Sequence, residues 1–525
     1  MGGPDYTSVC PFRGRDAADL RRVRYNRIRR RVEAFRELHG PGPVFRDNPA
    51  AGTNITKAHN LKPEALEELR AIAGPENLLV DPEQTLTYEC DGFAFHRHTP
   101  EAVLLAGHRD HVVRAVRAAV RHRLPFVPRG AGTGLSGGAL PRFGGLIIGL
   151  SRMKAILEID LENRLAVVEP GVINLDLSKS TATSGYYFAP DPSSQMVSTI
   201  GGNLAENAGG PHCFKYGMTT NHVQTLEVVL PSAEVVELGS RAADCPGYDL
   251  VGVFVGSEGT FGVVTKATVK LARNPQAVKT LLTSFPAMKE ACDAVSSIIA
   301  AGIIPAALEM MDRRMVAAVE ASANRAGMPL DAEAVLIIEL DGLAAALDIQ
   351  AEAIVRICRA HNCGELRVAR DEEERATIWK GRKHAFGAAG RMSRDLYLQD
   401  VVVPRNRLSE VVVRLYEIAD RAGIPLASLF HAGDGNLHPI LLFDRGREGE
   451  EERVLQAAYE MLLVCVEAGG TLSGEHGIGS EKSEFMGLVY SDEDLVAMKR
   501  LRAVFNPDEL CNPGKIFPVR HCLYK

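Results

Sequence analysis

The 525-residue chain is short of several things. No apolar run reaches the roughly 18 residues that a membrane-spanning helix needs. The N-terminus lacks the apolar core of a secretion signal. Ten cysteines are scattered without a single C-x-x-C pair. Such spacing suits reduced thiols in a cytoplasmic setting, and it leaves no clustered thiolates for an iron–sulfur cluster held by this chain. Net charge is −6, so no basic surplus points to nucleic acid. Repeats and low-complexity tracts are absent. What the chain does have is length: too many residues for one hydrophobic core, so two or more domains are expected.

One stretch departs from this average. Residues 13–36 carry ten arginines, with Leu20, Val23, Ile28, Val32 and Phe35 near a helical stripe. This reads as a solvated helix packed on its apolar side, or as a basic arm for a partner subunit or a peripheral contact with an anionic membrane face. Residues 41–60 read as a linker, and 63–73 as a helix. Short strands follow at 103–106, 146–150, 166–168, 225–230 and 263–271. Beyond Arg273-Asn-Pro275, helical patterns at 287–301, 312–325, 344–360 and 406–422 alternate with strands at 280–285, 335–341, 397–403 and 426–431, an α+β texture. Helices near 450–468 and 492–504 end the chain.

The densest signal is Val127-Pro-Arg-Gly-Ala-Gly-Thr-Gly-Leu-Ser-Gly-Gly138, with five glycines in twelve residues after an apolar run. Glycines let successive N–H groups curl around an anion, which suits pyrophosphate. Gly132-x-Gly134-x-x-Gly137 fits the dinucleotide fingerprint of the Rossmann fold, yet that motif requires a helix to open at the glycines. Here they run into Ala139-Leu-Pro-Arg-Phe-Gly-Gly145, and the helical pattern, 110–122, lies before the loop. A dinucleotide site on another fold is expected.

A second signal is Ala427-Ser-Leu-Phe-His-Ala-Gly-Asp-Gly-Asn-Leu-His-Pro-Ile-Leu-Leu-Phe443. Asp434-Gly435 is a two-residue hairpin turn, which would set His431 directly opposite His438, close enough to share one divalent ion. Glu475, in Gly474-Glu-His-Gly-Ile-Gly479, would complete a His₂-carboxylate site for zinc, manganese or iron, leaving His476 free as a proton acceptor.

Pro128–Gly138, Pro190-Asp-Pro192, Gly201–Gly210, Lys215-Tyr-Gly217, Gly256-Ser-Glu-Gly-Thr-Phe-Gly262, His431–His438, Gly474–Gly477 and Asn512-Pro-Gly-Lys515 occur in this order. Together they resemble the FAD-linked oxidases of the vanillyl-alcohol oxidase type, most closely the group of glycolate oxidase FAD subunits and D-lactate dehydrogenases. The resemblance runs from about 56 to 520. It implies an α+β fold: after a basic extension and linker (1–55), a two-part FAD-binding domain (56–275), then a substrate cap with the metal site and a C-terminal flavin-contacting segment (276–520). It implies FAD contacts at Pro128, Arg129, Gly130, Ala131, Gly132, Thr133, Gly134, Ser136, Gly137, Gly138, Pro190, Asp191, Gly201, Gly202, Asn203, Asn207, Gly209, Gly210, Tyr216, Gly217, Glu258, Gly259, Val263 and Asn512. The loop has no histidine for a covalent link, so non-covalent FAD is expected. Trp379-Lys-Gly-Arg-Lys383 resembles a segment whose arginine, here Arg382, grips the substrate carboxylate. Relatives that oxidise D-2-hydroxyglutarate carry a threonine and a lysine where this chain has Phe386 and Leu398, which turns the expectation toward a small 2-hydroxy acid. The activity implied is its oxidation to the 2-oxo acid, with hydride passing to flavin N5 and electrons then leaving to an iron–sulfur partner, a quinone route or another carrier. An oxygen-using oxidase, a D-2-hydroxyglutarate dehydrogenase and a flavin-free metal hydrolase are the alternatives.

Overall fold

The computed structural model describes residues 32–33, 61–242 and 246–518. The arginine-rich segment lies outside them apart from Val32 and Glu33; Val32 is buried in the largest apolar cluster.

The helix Pro63–Ala73 starts with proline at its first position and ends at Gly74, whose φ is +82°. The helix Arg109–Arg121 buries Val112, Ala115, Val116, Ala118 and Ala119. These apolar faces share a core with Phe126, Leu146 and Ile148 of a four-stranded sheet. Its strand order is Leu78–Leu79, Ala102–Leu105, Leu146–Gly149, Phe126–Arg129, the last three parallel. The chain crosses from Phe126–Arg129 to Leu146–Gly149 through the glycine loop with no intervening helix. This is the order that argued against a Rossmann unit. A five-stranded antiparallel sheet follows, ordered Ile156–Asp160, Leu165–Val168, Val263–Lys270, Val223–Val229, Val235–Gly239. The C-terminal segment returns to the first sheet. Asn512 donates its backbone N–H to Phe126 and its amide to the carbonyls of Gly138 (2.9 Å) and Glu258 (2.6 Å), while Lys515 reaches Leu140.

From Ala277 onward the strands build one eight-stranded antiparallel sheet. Seven follow the order Leu366–Val368, Ala277–Phe285, Ala334–Gly342, Ala307–Asp312, Leu426–His431, Asn436–Phe443, Asp395–Leu398. Val401–Val402 also pairs with Asn436–Phe443. The single strand expected over 397–403 is thus two. Its ladder breaks opposite Pro439, which accepts from Gln399 but has no N–H to return. The helix expected over 312–325 occupies Arg313–Glu320, because the Glu320 carboxylate turns back onto the amides of Ala326, Gly327 and Met328 and fixes a loop instead.

The hairpin register is corrected. His431 pairs with Asn436 and His438 with Leu429, so the connection is the four residues 432–435 rather than Asp434-Gly435 alone. Asp434 N–H bonds the His431 carbonyl at 3.2 Å, which closes a turn over residues 431–434, two residues earlier than expected. The slip is an even one, so every side chain keeps its face. His431 and His438 become diagonal neighbours on one face, with ring centroids 5.2 Å apart. Gly435 has φ +74° and its missing β-carbon would collide with the Val403 carbonyl. Gly435→Ala is expected to destabilise the protein by about 1 kcal/mol or more and to loosen the hairpin; differential scanning fluorimetry of the two proteins checks this.

Candidate active site

A cavity of about 650 Å³ runs from the glycine loop to the hairpin histidines. Its floor at the loop is bare backbone. None of the amides from Gly130 to Gly134 donates to a protein acceptor among the described residues. A β-carbon on Gly134 would meet nothing within 4 Å. Successive unpartnered N–H groups in a concavity are what a pyrophosphate requires, so the chain fits the group that the motif implied. The Arg129 side chain does a different job: it turns under the loop and donates to the carbonyls of Tyr88, Cys90 and Ala139.

Of the expected flavin contacts, Pro128 to Gly134, Gly138, Gly201, Gly202, Asn203, Gly209, Glu258 and Gly259 line the cavity. The others do not. Val263 faces the core at 0 % exposure, while its strand neighbour Val264 lines the cavity, as alternation demands. Ser136 and Gly137 support the turn, and Ser136 accepts the amides of Ser480 and Glu481. Asn207 ends the helix Ile200–Glu206 in the left-handed region. Pro190 accepts from Asn174, and Gly210 packs on Asp191. Tyr216 bonds Asp341, Gly217 ends a short helix, and Asn512 acts from behind as described.

At the far end, Arg382, His431, His438, Glu475 and His476 all line the same cavity. Glu475 Oε1 lies 3.3 Å from His431 Nε2 and 3.1 Å from His438 Nε2. Tetrahedral bonds of zinc-like length place ligand atoms roughly 3.4 Å apart, so this donor set fits one ion. His476 stacks on His438 at 5.2 Å with 7° between planes, its Nε2 3.7 Å from Glu475. Burial pushes the His476 imidazole down to about 4, against the pull of Asp400. Burial alone would raise Glu475, but His431 and His438 hold it well below the ordinary carboxylate range. Burial would lower His431, yet Glu309 and Glu475 keep it well above its ordinary value.

Several residues of the site were not found from sequence. Glu309, 0 % exposed, stands directly across the ladder from His431. It bonds His431 Nδ1 at 2.7 Å and pairs with Arg382 at 2.5 Å. The signal was there as an acid between Leu308 and Met310 in the strand Ala307–Asp312. His212 had no such signal. Its Nδ1 meets Asp191 at 2.9 Å, its Nε2 meets Glu339 at 3.2 Å, and its ring stacks on Trp379. Glu339 also accepts from Arg375 Nε and Nη2, each at 2.9 Å, and from the Trp379 N–H, which seats the helix Glu372–Lys383 that carries Arg382.

With this geometry in view, kinship is clear. Residues 100–239 match the family described as FAD binding domain, and 274–516 match the C-terminal domain of FAD linked oxidases. The chain belongs to the FAD-linked oxidases and is an FAD-linked oxidoreductase. Among its relatives, the glycolate oxidase subunit GlcD of Escherichia coli (strain K12) is 44 % identical over 86 % of this chain and 90 % of that protein. The Bacillus subtilis (strain 168) glycolate oxidase subunit GlcD is 41 % identical over 86 % and 96 %. The mitochondrial D-lactate dehydrogenase [cytochrome] of Arabidopsis thaliana is 30 % identical over 91 % and 85 %. The fold is also that of p-cresol methylhydroxylase, with a TM-score of 0.73, 16 % identity and coverage of 86 % and 96 %. These matches set aside the flavin-free hydrolase reading.

The His212 latch makes a pH prediction. Burial lowers that imidazole, but Asp191 and Glu339 outweigh it and raise it to about 10. The folded value lies above the ordinary one of about 6.5, so the charged latch stabilises fully below that pH and is lost as pH climbs through about 10. The melting-temperature gap between wild type and His212→Gln is expected to be widest near pH 6 and to shrink toward pH 10.

Proposed function

We propose that this chain oxidises a small 2-hydroxy acid, of the glycolate or D-lactate kind, to the 2-oxo acid. The observation that carries the reading is that Arg382, His431, His438, Glu475 and His476 share one cavity with the glycine loop. The names of the relatives point to the same substrate class.

The roles follow from chemistry. Amides of Gly130 to Gly134 would hold the cofactor pyrophosphate. FAD, when bound, supplies the acceptor at N5 for the hydride that leaves the α-carbon. Arg382 would bind the substrate carboxylate; its Nε and Nη2 make no hydrogen bond among the described residues, although Nη2 is paired in charge with Glu309. A guanidinium fork suits a carboxylate because it donates two parallel bonds. His431, His438 and Glu475 would hold a divalent ion, zinc, manganese or iron, which supplies Lewis-acid polarisation of the hydroxyl. His476, neutral at physiological pH, would take the hydroxyl proton on its imidazole. Phe386 and Leu398 also line the cavity. Neither of these apolar side chains can pair with a second carboxylate, which favours a small monoacid over 2-hydroxyglutarate. With no C-x-x-C pair in its sequence, the chain would hand its electrons to an iron–sulfur partner, a quinone route or another carrier. The organisation that goes with this reading is a basic extension and linker (1–55), a flavin-binding domain (56–275) and a cap domain (276–520).

Anaerobic mixing with glycolate, each lactate and D-2-hydroxyglutarate is expected to bleach the flavin with a small monoacid and not with the diacid, and more slowly after chelation. Bleaching by none of them would remove the proposal. His476→Ala is expected to slow bleaching by about 10²- to 10⁴-fold in stopped flow; a wild-type rate would remove the base assignment. Arg382→Lys keeps the charge but loses the fork, so kcat/KM is expected to fall on the order of 10- to 100-fold, mostly through KM.

A further inference from the structure

We propose that Asp400 is the positioning residue of this site, with one carboxylate oxygen presenting the loop that carries Glu475 and His476 and the other orienting the His438 imidazole. The second half of the claim rests on the metal reading above; the first does not.

Asp400 is 1 % exposed and sits at the break between the strands Asp395–Leu398 and Val401–Val402. Its Oδ2 accepts from Ser473 Oγ at 2.6 Å and from the amides of Gly474 at 2.8 Å, Glu475 at 3.1 Å and His476 at 3.0 Å. Three consecutive N–H groups aimed at one atom fix the path of that loop, and bonds to an ionised acceptor are the strong ones. Adjacent side chains on a regular strand would point to opposite faces. Curled around Asp400, Glu475 and His476 instead both face His438, one at its Nε2 and one stacked on its ring. The Asp400 carbonyl accepts from Lys482 Nζ at 2.6 Å, which ties down the far side of the loop.

Oδ1 points the other way. It lies 3.9 Å from His438 Nδ1, and both atoms are buried with no hydrogen-bond partner among the described residues. His431 shows the completed form of the same arrangement, with Nδ1 on Glu309 and Nε2 toward Glu475. A proton on His438 Nδ1, aimed at Asp400 directly or through one water, leaves the lone pair on Nε2, the form in which His438 is a ligand. Asp400 thus acts on His438, Glu475 and His476 at once.

The test uses FAD-loaded, chelator-stripped protein. Asp400→Asn keeps an oxygen for the loop donors but turns an amide N–H toward His438 Nδ1, which selects the wrong tautomer. Its affinity for Zn²⁺ and Mn²⁺ in equilibrium dialysis is expected to fall 10- to 100-fold, with FAD content unchanged and hydrogen exchange at 474–476 faster by less than in the Ala variant. Asp400→Ala is expected to speed exchange at those amides at least tenfold as well. Equal metal affinity in wild type and the Asn variant overturns the orienting role. Unchanged exchange in the Ala variant overturns the loop role. If the Ala variant is not recovered folded, metal affinity of the Asn variant decides. If wild type takes up neither ion, the metal reading itself fails and the orienting role with it, while exchange still decides the loop role.

Discussion

A carboxylate in the middle of a sheet has to be met by positive charge, and Glu309 is such a group. It has no exposure at all, in a strand where its flanking residues Leu308 and Met310 are apolar and buried. An isolated charge there would be severely destabilising. Arg382 arrives from a helix and His431 from the neighbouring strand, each in contact with one of its oxygens. Loss of Glu309 or of Arg382 leaves the other's buried charge without its ion-pair partner. The proposed substrate arginine and one proposed ligand are therefore held in a fixed relation by an acid that need touch neither substrate nor ion.

The same device recurs at every join of the site. Glu339 gathers His212, Arg375, Trp379 and Thr280. Glu258 accepts the amides of Ile478 and Gly479, both at 2.7 Å, and so ties the cavity-lining loop 257–259 to the segment beyond Glu475. Asp400 organises that segment from the other side. Each acid collects donors that are far apart in sequence, which converts loops into rigid walls. Where no acid is offered, at Gly130 to Gly134, the amides stay open to the cavity and are available to an anion.

Periodicity carried most of the secondary structure. The helices at 63–73 and 344–360 match their expected bounds. Errors came where a side chain overrode the local pattern, as at Glu320, or where a partner strand did, as opposite Pro439. The glycine loop and the hairpin were legible as chemistry because glycine spacing and paired histidines are local signals. The hairpin register was not, since turn length depends on which carbonyl captures the Asp434 amide. Tyr216 and Asp191 bond Asp341 and His212 and are not among the residues that line the cavity, because a motif does not say which way each member faces.

The sequence by itself determined the class: an anion-binding glycine loop without a following helix, two histidines on one face of a hairpin, an acid and imidazole between glycines, and an arginine in a family-like segment. These are properties of residue type and spacing. Only the tertiary structure decided which buried acids hold them. Glu309, Glu339 and Asp400 meet their partners across strands and loops separated by 36 to 127 positions. Burial, which makes each acid costly unless paired, exists only once the sheets have closed over it.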